Sequence, residues 1–263
     1  MTADSEIKKF KRIVLTHYRK AGRDALPWRV VQTHYTVFVS ELMLQQTQVE
    51  RVIPKFDAFV KKFPSWKALS QASLTDVYRL WSGLGYNRRA KYLRDAARII
   101  VEKGREIPND PVFIESLPGV GPYMKGALLA FAFGEREAFV ETNIRTTVTY
   151  HFFVDEKVVS DSDVLSVLNK CLPKKGNASR NWYAALMDYG SHLKKSGVRI
   201  NNKSASYTKQ KKFKGSLREL RGAILRELLT NTSTPKLLAK KNKRNLVEVA
   251  SLLEQMKKEG LVV

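Results

Sequence analysis

Apolar residues recur at helical spacing along nearly the whole chain, and runs that alternate as a half-buried strand would are few. Residues 7–18, 36–60, 74–84, 90–101, 123–133 and 182–193 each carry such a stripe. The pattern points to an all-α fold. The stripe over 36–60 reads as one helix punctuated by Pro54. Internal repeats and low-complexity segments are absent from the sequence.

Charge narrows the function. Lys plus Arg total 47 against 25 Asp plus Glu in 263 residues, a formal net charge of +22. That excess is more than solubility requires and points to a polyanion, nucleic acid first. Apolar residues make up 43 % of the chain, enough for a core, so wholesale disorder is excluded. The single cysteine, Cys171, rules out an internal disulfide. It equally rules out a cysteine-type zinc site or an iron–sulfur cluster held by this chain, so no cofactor and no metal are expected. The histidines His17, His34, His151 and His192 lack metal-ligand spacing. No apolar run of signal-peptide kind opens the chain, and none approaches the roughly 18 residues of a membrane span. The expectation is an intracellular protein of the cytoplasm or nucleoid, with no membrane partner.

One boundary is visible. Eight basic residues and no acid lie between Lys194 and Gly215, interleaved with Ser, Asn and Gly. Residues 194–215 read as an exposed basic linker that contacts phosphates through Lys209, Lys211 and Lys212. This divides the chain into a core (1–193), the linker, and a C-terminal domain (216–263). In that domain 216–229 is amphipathic, Thr234-Pro235 marks a helix start, and 246–258 forms a helix stopped by Gly260. Leu261-Val262-Val263 reads as a short strand, which suggests a small winged-helix-like tail.

Leu117-Pro118-Gly119-Val120-Gly121-Pro122-Tyr123 is the most informative local segment. Residues 111–116 can form a short helix before it, and Pro122 sits where another would start. Two glycines around one apolar residue permit a tight hairpin and close approach of another backbone. Amides gathered at such a turn hold a phosphate without reading sequence, although the same string also suits an ordinary helix–helix turn.

Two acids are candidates for chemistry. Glu41 has Val37, Phe38, Leu44 and Gln45 at helical neighbour positions. On that stripe it is either a partly desolvated acid able to protonate a leaving group or an ordinary surface-facing or salt-bridged residue. Gln45 and Gln46 are amides suited to base edges. Glu141 follows Phe139-Val140 and precedes Thr142-Asn143; it is either a helix cap or a carboxylate facing a developing cation. Breaking an N-glycosidic bond uses both functions, one group protonating the base and one stabilising the sugar cation.

Together these segments resemble the helix–hairpin–helix DNA glycosylase superfamily, and within it adenine glycosylases of the MutY type. The matching pieces occur in family order: Leu26-Pro27-Trp28-Arg29, Ser40-Glu41-Leu42-Met43-Leu44-Gln45-Gln46-Thr47-Gln48-Val49, Gly83-Leu84-Gly85-Tyr86, the hairpin, Val140-Glu141-Thr142-Asn143, and Ala185-Leu186-Met187-Asp188-Tyr189-Gly190. The resemblance covers roughly residues 5–195. It implies two helical lobes with a DNA cleft between them and a mismatched adenine, opposite G or 8-oxoguanine, flipped out of double-stranded DNA. Glu41, Glu141, Tyr123 and Asn143 then match the catalytic group, and Arg29, Leu44 and Gln45 the base pocket. Gln46, Tyr86, Asn87, Arg88, Pro118, Gly119, Val120, Gly121 and Lys125 match the DNA-contacting set.

The related lyases keep a nucleophilic Lys at the position of Tyr123, whereas Lys125 stands two residues on. A monofunctional, monomeric enzyme is expected. Glu141 stands where the family keeps Asp, and Asn87 where many relatives have a second Tyr. The region after Gly190, where the family has four cysteines, reads Ser191-His192-Leu193-Lys194-Lys195. Residues 216–263 are too few for a separate 8-oxoguanine-recognition domain. The same residues leave two other readings, a thymine or uracil mismatch glycosylase and a DNA-binding homologue without catalysis.

Overall fold

The computed structural model describes residues 3–104, 106–174, 178–208 and 212–262. The helices are α1 (Ala3–Ala21), α2 (Pro27–Val30), α3 (His34–Leu44), α4 (Val49–Lys62), α5 (Trp66–Ser70), α6 (Leu74–Trp81), α7 (Arg88–Lys103), α8 (Pro111–Ser116), α9 (Pro122–Leu128), α10 (Thr142–Phe152), α11 (Asp161–Cys171), α12 (Ala178–Lys195), α13 (Leu217–Leu228), α14 (Pro235–Asn242) and α15 (Leu246–Lys258). A π-turn, Leu129–Phe133, extends α9. Among the described residues there is no strand, only an isolated parallel bridge between Val159 and Ser204. No helix among them is long and apolar enough to cross a membrane. The all-α expectation holds.

Several helix starts follow directly from the sequence. Ser65, Ser73, Ser160, Ser216, Thr234 and Asn245 each cap a helix by accepting a hydrogen bond from a backbone N–H two or three residues on. Such caps contribute about 1 kcal/mol each.

The helix expected over 36–60 is in fact two, and the break falls at residues 45–48 rather than at Pro54. Pro54 lies inside α4, while Gln46 takes a left-handed conformation (φ 54°). The cause is a tertiary contact. The buried guanidinium of Arg89 donates to the carbonyls of Leu42 (2.7 Å), Met43 (3.1 Å) and Gln45, and so captures the unsatisfied end of α3.

The chain falls into two compact units. The first comprises Met1–Val37, Pro108–Ser116 and Val120–Lys209. Its core joins Phe10 and Val14 of α1, Ile144 and Val148 of α10, Val164 and Leu168 of α11, and Trp182, Tyr183 and Leu186 of α12. Glycines permit two close approaches there. A Cβ on Gly126 would fall 2.4 Å from Phe139, and one on Gly190 would fall 2.1 Å from the Asn143 carbonyl oxygen. Gly190 therefore lets α12 lie directly against the start of α10.

The second unit comprises Phe38–Ile107, Leu117–Gly119 and Gln210–Val263. Phe38 meets Trp66 edge-on at 5.3 Å, and Phe59 meets Trp81 at 6.3 Å. The C-terminal helices bury Leu220, Ile224, Leu238, Val249, Leu252 and Met256. They are fastened to the rest of the unit by Glu259, which pairs with Arg88 (2.7 Å) and Arg221, and by Arg79 donating to the Leu229 carbonyl. The strand expected at 261–263 is absent at Leu261 and Val262, and Val263 lies outside the described residues. Leu261 instead turns back on α15, its amide bonding the Met256 carbonyl at 2.9 Å and its side chain buried. No wing forms among the described residues.

Candidate active-site residues

Glu141 caps α10. Its Oε2 accepts from the Asn143 amide at 2.7 Å and its Oε1 from Asn143 Nδ2 at 3.0 Å. The two alternatives left open by the sequence are thus compatible: the residue is a cap, and its carboxylate is fixed by two donors. Burial raises its pKa above the usual carboxylate range, while the Asn143 amide, the charge of Lys194 and the Ile144 amide pull the other way.

Lys194 is a residue that sequence reading placed in a linker. It lies in the last turn of α12, half-buried, four residues after Gly190 and so on the same face. Burial lowers its pKa, against the attraction of Glu141, and Arg23 lowers it further. The signal that would have found it is Gly190 one turn earlier, which marks a face in close contact.

Arg29 is tied into a buried ion cluster. Its Nη1 and Nη2 donate to Asp188 Oδ2 and Oδ1 at 2.8 and 2.9 Å. Arg23 adds Nε to Oδ1 at 2.8 Å and its own amide to Oδ2 at 2.8 Å. Burial alone would raise the Asp188 pKa, but the hydrogen bonds and charges of Arg29 and Arg23 overcome it and hold that carboxyl below its ordinary value. Tyr123 stands in the first turn of α9, its ring 5.9 Å from that of Phe139. Lys125 pairs with Glu115 of α8 at 2.7 Å.

The hairpin between α8 and α9 uses its glycines differently. Gly119 has φ +84°, and a Cβ there would lie 3.0 Å from Tyr92 and 3.2 Å from Leu42. It is required by backbone and packing together. Gly121 is extended (φ −107°, ψ −178°), and nothing lies within 4 Å of the place a Cβ would take. Neither strain nor internal packing explains a glycine there. Pro118 and Val120 beside them are half-buried.

In the second unit Glu41 is 6 % exposed on α3, where residues 35–43 are all buried. A surface-facing glutamate is thereby excluded. Leu44 and Gln45 are half-buried and Gln46 is exposed. Arg89 ties this turn to a second one: its Nη2 donates to Thr47 Oγ1 (3.1 Å), to the Leu84 carbonyl (3.3 Å) and to the Gly85 carbonyl (3.0 Å). Burial lowers the Arg89 pKa to about 10, which still leaves it charged at neutral pH. Arg89 was missed by sequence reading, since an arginine on an amphipathic helix carries no mark of burial.

Tyr86, at the end of the second turn, is left-handed (φ 47°) and 37 % exposed. Asn87 is the N-cap of α7 and makes no side-chain cap bond. Arg88, expected to contact DNA, pairs with Glu259. Lys212 is exposed; Lys209 and Lys211 lie outside the described residues.

The donor set does not fit the iron–sulfur cluster of the resembling family. Cys171 is buried in α11, its thiol pushed up to about 11 by burial. Among the described residues no group of three or more His, Cys, Asp or Glu side chains is placed to hold a metal.

Residues 39–174, just over half of the chain, match the HhH-GPD superfamily base excision DNA repair protein family. The chain belongs to this family. The matched span of the HhH-GPD family holds Glu41, both turns, the hairpin, Glu141 and Asn143. An adenine DNA glycosylase of Buchnera aphidicola subsp. Acyrthosiphon pisum (strain APS) is 34 % identical over 190 residues, 70 % of this chain and 53 % of that protein. The Homo sapiens adenine DNA glycosylase is 39 % identical over 150 residues, 53 % of this chain and 27 % of that protein. The chain thus spans about half or less of the length of these relatives.

Among solved structures, a thermostable thymine-DNA glycosylase aligns with TM-score 0.61 at 23 % identity, over 72 % of this chain and 87 % of that one. A trapped endonuclease III–DNA covalent intermediate aligns with TM-score 0.59 at 16 % identity, over 73 % and 88 %. At these identities the likeness concerns the fold, and it agrees with the all-α reading.

Proposed function

We propose that this chain is a monofunctional DNA glycosylase that hydrolyses the bond between the sugar and a flipped-out adenine mismatched with G or 8-oxoguanine. The observation that carries the reading is the contrast between two carboxyls in one family domain. Glu41 is 6 % exposed on a helix whose residues 35–43 are all buried, a sheltered place for a group that hands a proton to a leaving base. Glu141 is fixed at a helix start by two hydrogen bonds, with an ammonium group nearby. The relatives' names, adenine DNA glycosylase, point to the base.

Glu41 would donate its proton to a ring nitrogen of adenine as the C1′–N9 bond breaks, and adenine would leave neutral. The carboxylate of Glu141 would stabilise the cation left on the sugar. Water would then add at C1′ and give its proton to Glu41, restoring the acid. The side chain of Glu141, which stands where the family keeps Asp, accepts from the amide and side chain of Asn143 at the start of α10. The open space at Gly121 supports a phosphate contact at the hairpin. The reading includes a monomer acting inside the cell on double-stranded DNA, without a metal cofactor, in which Arg29, Leu44 and Gln45 line the base pocket.

One alternative is a thymine or uracil opposite G: Asn87 and Glu141 depart from the adenine pattern, and Tyr123 suits that branch as well. A single-turnover assay on duplexes carrying A:8-oxoguanine, A:G, T:G and U:G separates the two. We expect strand scission at adenine only after alkali. Release of thymine or uracil instead would move the substrate to the alternative. No release from any duplex at enzyme excess would leave a DNA-binding homologue.

A further inference from the structure

The C-terminal helices carry a guanidinium to an exposed aromatic ring of the Tyr86 turn. Arg218, in the first turn of α13, donates from Nη1 to Tyr86 Oη at 2.5 Å, and its guanidinium carbon lies 5.6 Å from the ring centroid. We propose that Arg218, with Lys212, Phe213 and Lys214 before it, forms a further DNA-binding surface that grips backbone phosphate beside the Tyr86 turn. The proposal rests on the DNA-acting reading above and adds a contact supplied by residues outside the matched family span.

Three observations carry it. First, Tyr86 holds a left-handed backbone between Gly85 (φ 73°) and α7, a conformation that costs a non-glycine residue roughly 1 kcal/mol. Burial does not offset that cost, because the ring is 37 % exposed. Strain kept at an exposed aromatic marks a surface used for contact. Second, the ring already carries two guanidinium groups, Arg218 and, at 5.4 Å, the buried Arg89. Positive charge gathered on an aromatic suits an anionic partner. Third, the lead into α13 is exposed and alternates cation with aromatic: Lys212, Phe213 (60 % exposed) and Lys214. Basic residues interleaved with an aromatic are the arrangement that tracks a nucleic-acid backbone.

Hydrogen bonds and ion pairs tie the start of α13 down. Gly215 (φ +80°) donates its amide to Glu219 at 2.6 Å, and the Ser216 amide bonds the Phe213 carbonyl at 3.0 Å. Glu259 fastens α13 to α7 through Arg221 and Arg88. Arg218 is thus carried on a helix that is ion-paired to α7, an arrangement that lowers the ordering cost of binding relative to a free basic tail.

The test is fluorescence anisotropy of the full chain on a duplex carrying a stable abasic analogue, over a salt series, with Arg218→Gln and Arg218→Lys. Gln removes the charge and keeps a polar amide on a shorter side chain. We expect Arg218→Gln to flatten the slope of log affinity against log salt by about one and to weaken binding roughly eightfold at 0.1 M salt, with thermal melting unchanged. Arg218→Lys should keep the slope. Wild-type slope and affinity in Arg218→Gln would overturn the proposal and leave Arg218 as an internal strut. Should Arg218→Gln fold poorly, a lost slope in Arg218→Lys, whose charge is intact, would equally overturn it. Excision fails separately: a wild type that binds with the expected slope yet releases no base sinks the glycosylase reading and leaves this surface standing.

Discussion

Glu41 and Glu141 sit in different surroundings, and the proposed division of work between them rests on that difference. Glu41 lies on a helix buried along residues 35–43, with apolar neighbours on its stripe. Glu141 lies at a helix start, with the Asn143 amide and side chain on its oxygens and Lys194 supplied by α12. Burial raises the Glu141 pKa, and the donors and Lys194 oppose that push. In the proposed reaction Glu41 is the proton donor and Glu141, held by those donors, is the carboxylate that faces positive charge.

The largest expected effect removes the proton donor. Glu41→Gln keeps size and hydrogen bonding and should slow single-turnover excision by about 10²–10⁴-fold while leaving affinity for an abasic duplex near wild type. A rate within threefold of wild type would end the comparison. Glu141→Gln should cost about 10²–10³-fold, because the sugar cation loses its counter-charge. Glu141→Asp should retain most activity, and the melting temperature of each variant separates lost capping from lost chemistry.

Lys194 sharpens the contrast from the other side. Its charge opposes the upward push of burial on Glu141. Lys194→Met should therefore raise the Glu141 pKa, shrink the ionised fraction at a given acidic pH, and move the acid limb of the pH–rate profile to higher pH. Lys194→Arg should restore it. An unmoved limb with a merely lower melting temperature would make Lys194 structural. The smallest effect belongs to the hairpin. Gly119→Ala should destabilise the fold by about 1–2 kcal/mol through its positive φ and its contacts with Tyr92 and Leu42. Gly121→Ala should leave stability unchanged and weaken DNA binding a few-fold, as chemical denaturation and anisotropy would show.

What the sequence made legible was local. Apolar stripes located most helices, Thr234-Pro235 marked the start of α14, and the Glu41 string, the hairpin and Glu141-Thr142-Asn143 stood out by composition. What escaped was made by partners distant along the chain. Arg89 ends α3 from more than forty residues away, so the break at Gln45 left no local sign. Asp188 claims Arg29 from across the first unit, and Gly190 brings Lys194 beside α10. Leu261 and Val262 look like a strand by composition, but Leu261 is satisfied by folding back on α15.

The most direct test of two carboxyls sharing one bond-breaking step is a double-mutant cycle on single-turnover adenine release from an A:8-oxoguanine duplex. Groups that act as a unit give non-additive losses, so Glu41→Gln/Glu141→Gln should be scarcely slower than the worse single variant. Losses that multiply in full, or a single variant with wild-type rate, would contradict a shared step.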